Sequence, residues 1–245
     1  MPGASRNGEL IQLTRQGVLF SGSAGDLRAL RAQFQHDHYV ILPKLIEPDL
    51  LGTIVKRLET APFVSKEYNG VVSQAVFDDP LTYHLLLFLV NVPEFHRLVQ
   101  RITGCRKIAD FRGRVYRLNP NTDNRIVWHT DVTDHRMVTF SLNLTTQEYR
   151  GGTLQIRNQD SKEILHEVRN TGLGDALLMR VTKKLAHRVL PVEGDIPRTA
   201  MAGWFRWEAD KKEGFHANVR KALQVSREET RMAETDSEVV TASRE

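Results

Sequence analysis

Apolar positions recur at helical spacing through the first part of the chain and at shorter, strand-like intervals afterwards. Leu27, Leu30 and Phe34 share one face of a helix that runs into the strand-like Tyr39-Val40-Ile41-Leu42. Pro48 suits the first turn of a second helix, whose stripe is Leu51, Ile54, Val55 and Leu58 and which Pro62 stops. Asp79-Pro80 opens a third helix carrying Leu81, Leu85, Phe88 and Leu89. Pro93 opens a fourth with Phe95, Leu98, Val99 and Ile102, closed by Gly104 as a C-terminal cap. Each of these helices has an apolar face, so each needs a surface to cover.

From Lys107 to Trp207 the pattern changes to short β-rich runs: 107–118, 125–131, 136–144, 152–156, 163–168, 175–180, 185–192 and 198–207. Turn-forming stretches separate them, among them Asn119-Pro120-Asn121, Gly151-Gly152, Gly172-Leu173-Gly174-Asp175 and Glu193-Gly194-Asp195. Eight such runs suit a double-sheet jelly roll. The expectation is therefore a mainly β fold with flanking α: a double-stranded β-helix core, jelly-roll or cupin-like, with N-terminal helices packed on it. Residues 1–207 read as one domain, with a helical front part over 18–106 and the β core over 107–207. Residues 208–245 are charged and sparsely apolar, and read as a helix followed by a disordered tail. Ser65 to Phe77, with Tyr68, Asn69, Gly70 and Gln74, reads as a mobile lid between helices and barrel.

Composition narrows the class without naming a function. The chain has 245 residues, 40% of them hydrophobic and 26% charged, which suits a folded, soluble protein. Cys105 is the single cysteine, so an intramolecular disulfide and a cysteine-based zinc cluster are excluded. The net charge of +4 comes from 34 basic and 30 acidic residues that are interspersed, and Lys183-Lys184 is the nearest approach to a basic cluster. A nucleic-acid partner is not expected. The first nineteen residues lack the basic start and apolar run of a secretory signal. The longest apolar run, Leu85 to Val90, falls far short of the roughly 20 residues that span a bilayer. A cytoplasmic protein without a membrane partner is the expectation, and a homo-oligomer is compatible with the sequence.

Candidate chemistry begins at Trp128-His129-Thr130-Asp131. Side chains alternate along a strand, so His129 and Asp131 point to the same face as a pair of metal ligands. His187, on the run Leu185-Ala186-His187-Arg188-Val189, is the candidate third ligand. Two histidines and a carboxylate form the facial triad of non-haem Fe(II) oxygenases. A zinc hydrolase uses the same ligand types, but no Glu or His stands obviously as a general base. A basic residue downstream of His187 separates the two. Arg198 comes eleven residues later and begins the strand running back beside it, where a guanidinium fork suits a carboxylate held at fixed distance from the metal.

At this point the sequence resembles the 2-oxoglutarate- and Fe(II)-dependent dioxygenases of the prolyl-4-hydroxylase-like group. The match is carried by His129-x-Asp131, His187, Arg198, Gly151-Gly152-Thr153-Leu154 and the Gly174-Asp175-Ala176-Leu177-Leu178-Met179 strand, and covers roughly 107–207. The resemblance implies Fe(II), 2-oxoglutarate and O2 as cofactor and cosubstrates, with iron on His129, Asp131 and His187 and the far 2-oxoglutarate carboxylate on Arg198. It implies oxidative decarboxylation to succinate and CO2, coupled to attack on a substrate C–H bond. Asp131 points to hydroxylation, because halogenating relatives carry a small residue there. Tyr116 matches a family tyrosine and Asn143 a polar position beside the cosubstrate carboxylate, though other members place an aromatic or basic residue at the latter.

Strand parity adds substrate candidates: Arg112 and Arg114 share the phase of Tyr116, Trp204 shares the phase of Ala200, and Tyr68 and Gln74 lie on the lid segment. Each has a plainer reading, as a solvated strand face, core packing or a surface loop. The chain is too compact for a separate recognition domain, which favours a small-molecule substrate: an amino acid, a derivative or a natural-product intermediate. The rival enzyme reading is a hydroxylase of a protein or peptide residue. The rival outside enzymes is a metal- and 2-oxoglutarate-binding sensor without turnover.

Overall fold

The computed structural model describes residues 10–68, 72–133 and 135–209. The expected C-terminal helix and tail, from residue 210 on, and Asn69 and Gly70 of the expected lid lie outside them.

Four helices form where the apolar periodicity puts them, three of them opening on a proline. α1 (Ala24–Asp37) starts at a capping box in which Ser23 and Asp26 bond each other's backbone N–H, and ends at His38 in the left-handed region, φ 66°. α2 (Pro48–Thr60), α3 (Pro80–Val90) and α4 (Pro93–Thr103) each begin on their proline, and Gly104 closes α4 at φ 72°. The buried face of α3 departs from expectation: Leu86, Leu87, Leu89 and Val90 are buried, whereas Leu81 and Phe88 are exposed. This helix is apolar nearly all round, so no polar stripe marks its outer side.

Two hairpins form in the front part of the chain. β1 (Ile11–Thr14) and β2 (Gly17–Phe20) pair near the N-terminus. β4 (Phe63–Tyr68) and β5 (Val72–Phe77) form an antiparallel hairpin in place of the expected lid loop, and β5 is stitched into the main sheet. The remaining strands are β3 (Tyr39–Leu42), β6 (Asp110–Leu118), β7 (Arg125–His129), β8 (Arg136–Asn143), β9 (Arg150–Gly151), β10 (Leu154–Asn158) and β11 (Ile164–Val168). After them come β12 (Ala176–Arg180), β13 (Leu185–Val189), β14 (Val192–Glu193) and β15 (Arg198–Arg206).

The main sheet is antiparallel in the order β11-β10-β13-β7-β5-β6-β15-β8-β12-β3, with β4 on β5. It curls until its two ends meet: Ile156 of β10, Val168 of β11 and Leu185 of β13 pack against Leu177 and Met179 of β12. This half-barrel with helices beside it is the mainly β, jelly-roll architecture expected from the turn spacing. Phe95 of α4 closes a buried aromatic cluster with Phe111, Phe140 and Phe205 of β6, β8 and β15. Among the described residues no helix is long and apolar enough to cross a membrane.

Candidate functional site

Cross-strand register brings the two histidines together. β7 and β13 are antiparallel neighbours with His129 directly opposite His187, and the imidazole centroids lie 4.3 Å apart. β7 ends at His129, so Asp131 stands just beyond the strand instead of within it. Its carboxylate nevertheless turns to the same place. Oδ1 lies 3.5 Å from His129 Nε2, Oδ2 lies 3.5 Å from His187 Nε2, and Thr139 Oγ1 of β8 donates to Oδ2 at 2.8 Å. One candidate ligand atom from each of the three residues falls within 4.8 Å of the others.

Electrostatics favour a cation at this point. Burial alone raises the Asp131 pKa, but the His129 hydrogen bond and the electrostatic attraction of the two neighbouring imidazoles outweigh it and hold the carboxyl well below its usual range. Burial pushes His187 down to about 4, so its imidazole is neutral and has a lone pair to give. Burial also lowers His129, but Asp131 and the Val127 carbonyl reverse it and leave the pKa raised. His129 Nδ1 lies 2.8 Å from the Val127 carbonyl oxygen, which fixes it as the N–H donor and leaves Nε2 as the ligating atom.

Beside this triad stands a guanidinium without a counter-charge. Arg198, the first residue of β15, donates from Nη1 to the Tyr116 hydroxyl at 2.7 Å and from Nε to the Tyr149 hydroxyl at 3.2 Å. No carboxylate forms an ion pair with it among the described residues. Gly152, at φ 60°, makes room: a Cβ there would lie 2.8 Å from the Tyr149 ring and 3.1 Å from Arg198 Cδ. Sequence reasoning misses Tyr149, because it sits in a connection without periodicity. Its one signal is its place two residues before Gly151-Gly152.

All these side chains except Tyr149 line one cavity of about 410 Å³. The hairpin contributes Tyr68, Val72 and Gln74 to its wall, β6 contributes Arg114, and β15 contributes Trp204. Arg136, also missed in the sequence, lies with its guanidinium 3.4 Å from the Trp204 ring centroid and 3.8 Å from Asp131 Oδ1. Asn143 and Arg112, expected at the site, do not line this cavity. The Asn143 amide is spent on the turn before β12, donating to Thr171 O at 2.6 Å and Gly172 O at 3.1 Å while accepting from Thr145 N. Arg112 has the right strand phase but sits further along β6, against Asp110 at 3.4 Å.

Comparison with known proteins agrees with this geometry. Residues 113–206, from β6 through β15, match the model of the 2OG-Fe(II) oxygenase superfamily. That stretch, somewhat under half of the chain, is similar to the 2OG-Fe(II) oxygenases. The match implies Fe(II), 2-oxoglutarate and O2, and the His-Asp-His cluster with its neighbouring arginine is a donor set that fits both the metal and a dicarboxylate. Among solved structures, the chain is similar to a 2OG-Fe(II) oxygenase family oxidoreductase from Burkholderia pseudomallei, with 16% identity, a TM-score of 0.57, and 80% of this chain and 95% of that one covered. It is similar to a Pseudomonas putida prolyl-4-hydroxylase at 19% identity and a TM-score of 0.56, covering 74% and 99%. A third likeness is to SnoN, a non-haem α-ketoglutarate-dependent epimerase of nogalamycin biosynthesis, at 16% identity and a TM-score of 0.55, covering 74% and 82%. At such identities these likenesses are of fold. No curated protein sequence matches.

Proposed function

We propose that this oxygenase, with residues 1–207 as its single domain, hydroxylates an unactivated C–H bond of a small molecule. Bound iron and 2-oxoglutarate supply the oxidising chemistry, with O2 as oxidant. His129, Asp131 and His187 would hold the metal, and Arg198 would take the far carboxylate of the cosubstrate. The observation that carries the reading is Arg198, a cation held by two neutral hydroxyls beside a three-ligand cluster in one cavity. A buried charge without a counter-charge is costly, and a bound dicarboxylate would relieve it.

The chain's own work is positioning. The Val127 carbonyl fixes the His129 tautomer, Thr139 orients Asp131, and Tyr116 and Tyr149 aim the Arg198 fork. The β4–β5 hairpin walls the cavity on the side of Tyr68 and Gln74, which favours a compact substrate over an extended peptide.

Adding Fe(II) and then 2-oxoglutarate anaerobically should produce the weak visible charge-transfer band of the chelated complex. Arg198→Ala should raise the 2-oxoglutarate requirement by tenfold or more while iron affinity changes little, since losing one partner of a buried charged contact costs about 2–5 kcal/mol. Iron binding without the band in the unmodified protein would remove 2-oxoglutarate from the reading.

A further inference from the structure

We propose, resting on the oxygenase reading, that the substrate carries an oxyanion, a carboxylate or a phosphate, gripped by Arg114. Among the described residues the cavity wall holds three guanidiniums, of Arg114, Arg136 and Arg198, against one carboxylate, that of Asp131. A divalent metal and a dianionic cosubstrate cancel one another, so the cationic excess remains for the substrate to meet.

Arg198 and Arg114 are separate anchors. Arg114 pairs in register with Ala202, four residues along β15 from Arg198, which is about 13 Å at the rise of a strand. A single five-carbon diacid chelated to the metal from one end does not also serve the second arginine.

Arg114 is also held in readiness. Its guanidinium lies 4.3 Å from the centroid of the Tyr68 ring. Gln74, only 1% exposed, accepts from Nε and from Nη2, the latter at 3.1 Å, in the amide orientation that satisfies both groups. This fixes one edge of the guanidinium plane against β5 and leaves its remaining donors for a ligand, the geometry that binds an oxyanion two-pronged. Arg136, spread on Trp204, adds a second positive charge to the same cavity. Tyr68, Gln74 and Arg114 come from three adjacent strands, so the hairpin acts as the wall that builds a specificity pocket.

The test uses paired probes on the protein loaded anaerobically with Fe(II) and 2-oxoglutarate. N-acetyl amino acids are compared with their carboxamides, and phosphate monoesters with their parent alcohols. The readouts are perturbation of the charge-transfer band and, in air, 2-oxoglutarate consumption. At least one charged class should act at concentrations tenfold or more below its neutral counterpart, and the class that does so identifies the anion. Arg114→Gln should keep the band but lose this preference, and Arg114→Lys should keep part of it. Equal response to charged and neutral partners, no response to any charged probe, or an unchanged preference in Arg114→Gln would overturn the proposal. Absence of the band in the unmodified protein would overturn the oxygenase reading, and this one with it.

Discussion

Arg198 shows how much a single position depends on what is missing beside it. Two tyrosine hydroxyls and a glycine define its place, and Gly152 contributes only by lacking a side chain. At φ 60°, with the Tyr149 ring and the Arg198 stem close to where a Cβ would stand, Gly152→Ala must both strain the backbone and displace the guanidinium. Overpacking of this kind costs about 1–3 kcal/mol. Gly152→Ala should therefore weaken 2-oxoglutarate binding about tenfold, read as the midpoint of the charge-transfer titration, with iron affinity held because His129 and His187 lie on β7 and β13. An unchanged 2-oxoglutarate midpoint would mean that the close packing around Gly152 does not position Arg198.

At the scale of elements, β15 ties the site to the rest of the sheet. It starts at Arg198, lies between β6 and β8, and ends at Arg206, whose guanidinium binds both oxygens of Asp110 at 2.8 and 2.7 Å. Taking the carboxylate away leaves a buried cation, a loss worth about 3 kcal/mol. Asp110→Ala should lower the urea midpoint accordingly while the folded protein still forms the charge-transfer complex, because the change lies at the opposite end of the strand from Arg198. A variant as stable as the parent would show that the clamp is not structural. The same elements explain what the sequence makes legible. Proline or glycine punctuates α2, α3 and α4, and alternation places Arg114, Tyr116 and Trp204 on the cavity side. Phase gives the face of a strand but not how far along it a cavity extends, which is why Arg112 and Asn143 fall outside the site. The β4 strand, Phe-Val-Ser-Lys-Glu-Tyr, is largely exposed and lacks alternation, so a sheet-edge strand reads as a loop. Asp131 reaches the site from beyond its strand, where alternation no longer guides a side chain, and the His129–His187 pairing belongs to a register no local pattern records.

At the scale of the molecule, one face of the curled sheet serves the cavity and another is closed by α4, and the second sets a pH window for the first. His96 on α4 is buried edge-on to Phe205, 5.7 Å between centroids, and its Nε2 has no hydrogen-bond partner among the described residues. Burial pushes its pKa down to about 4, with Asp110 and the Val90 carbonyl opposing only in part. Because the folded value lies below the ordinary 6.5, the unfolded chain takes up a proton first as pH falls. Stability is then fully present above pH 6.5 and is lost progressively down to about 4. Between pH 7.5 and pH 5 this single group should cost the fold about 2 kcal/mol. His96→Leu keeps an apolar contact with Phe205 and removes the titration, so its stability should fall less with acid than that of the parent protein. The comparison is of urea midpoints at the two pH values; subtracting variant from parent cancels the contribution of His187, which burial depresses in the same direction. Parallel loss in both proteins would mean that His96 does not set the acid limit, and activity lost near pH 5 would then belong to the metal cluster instead of the helix that backs it.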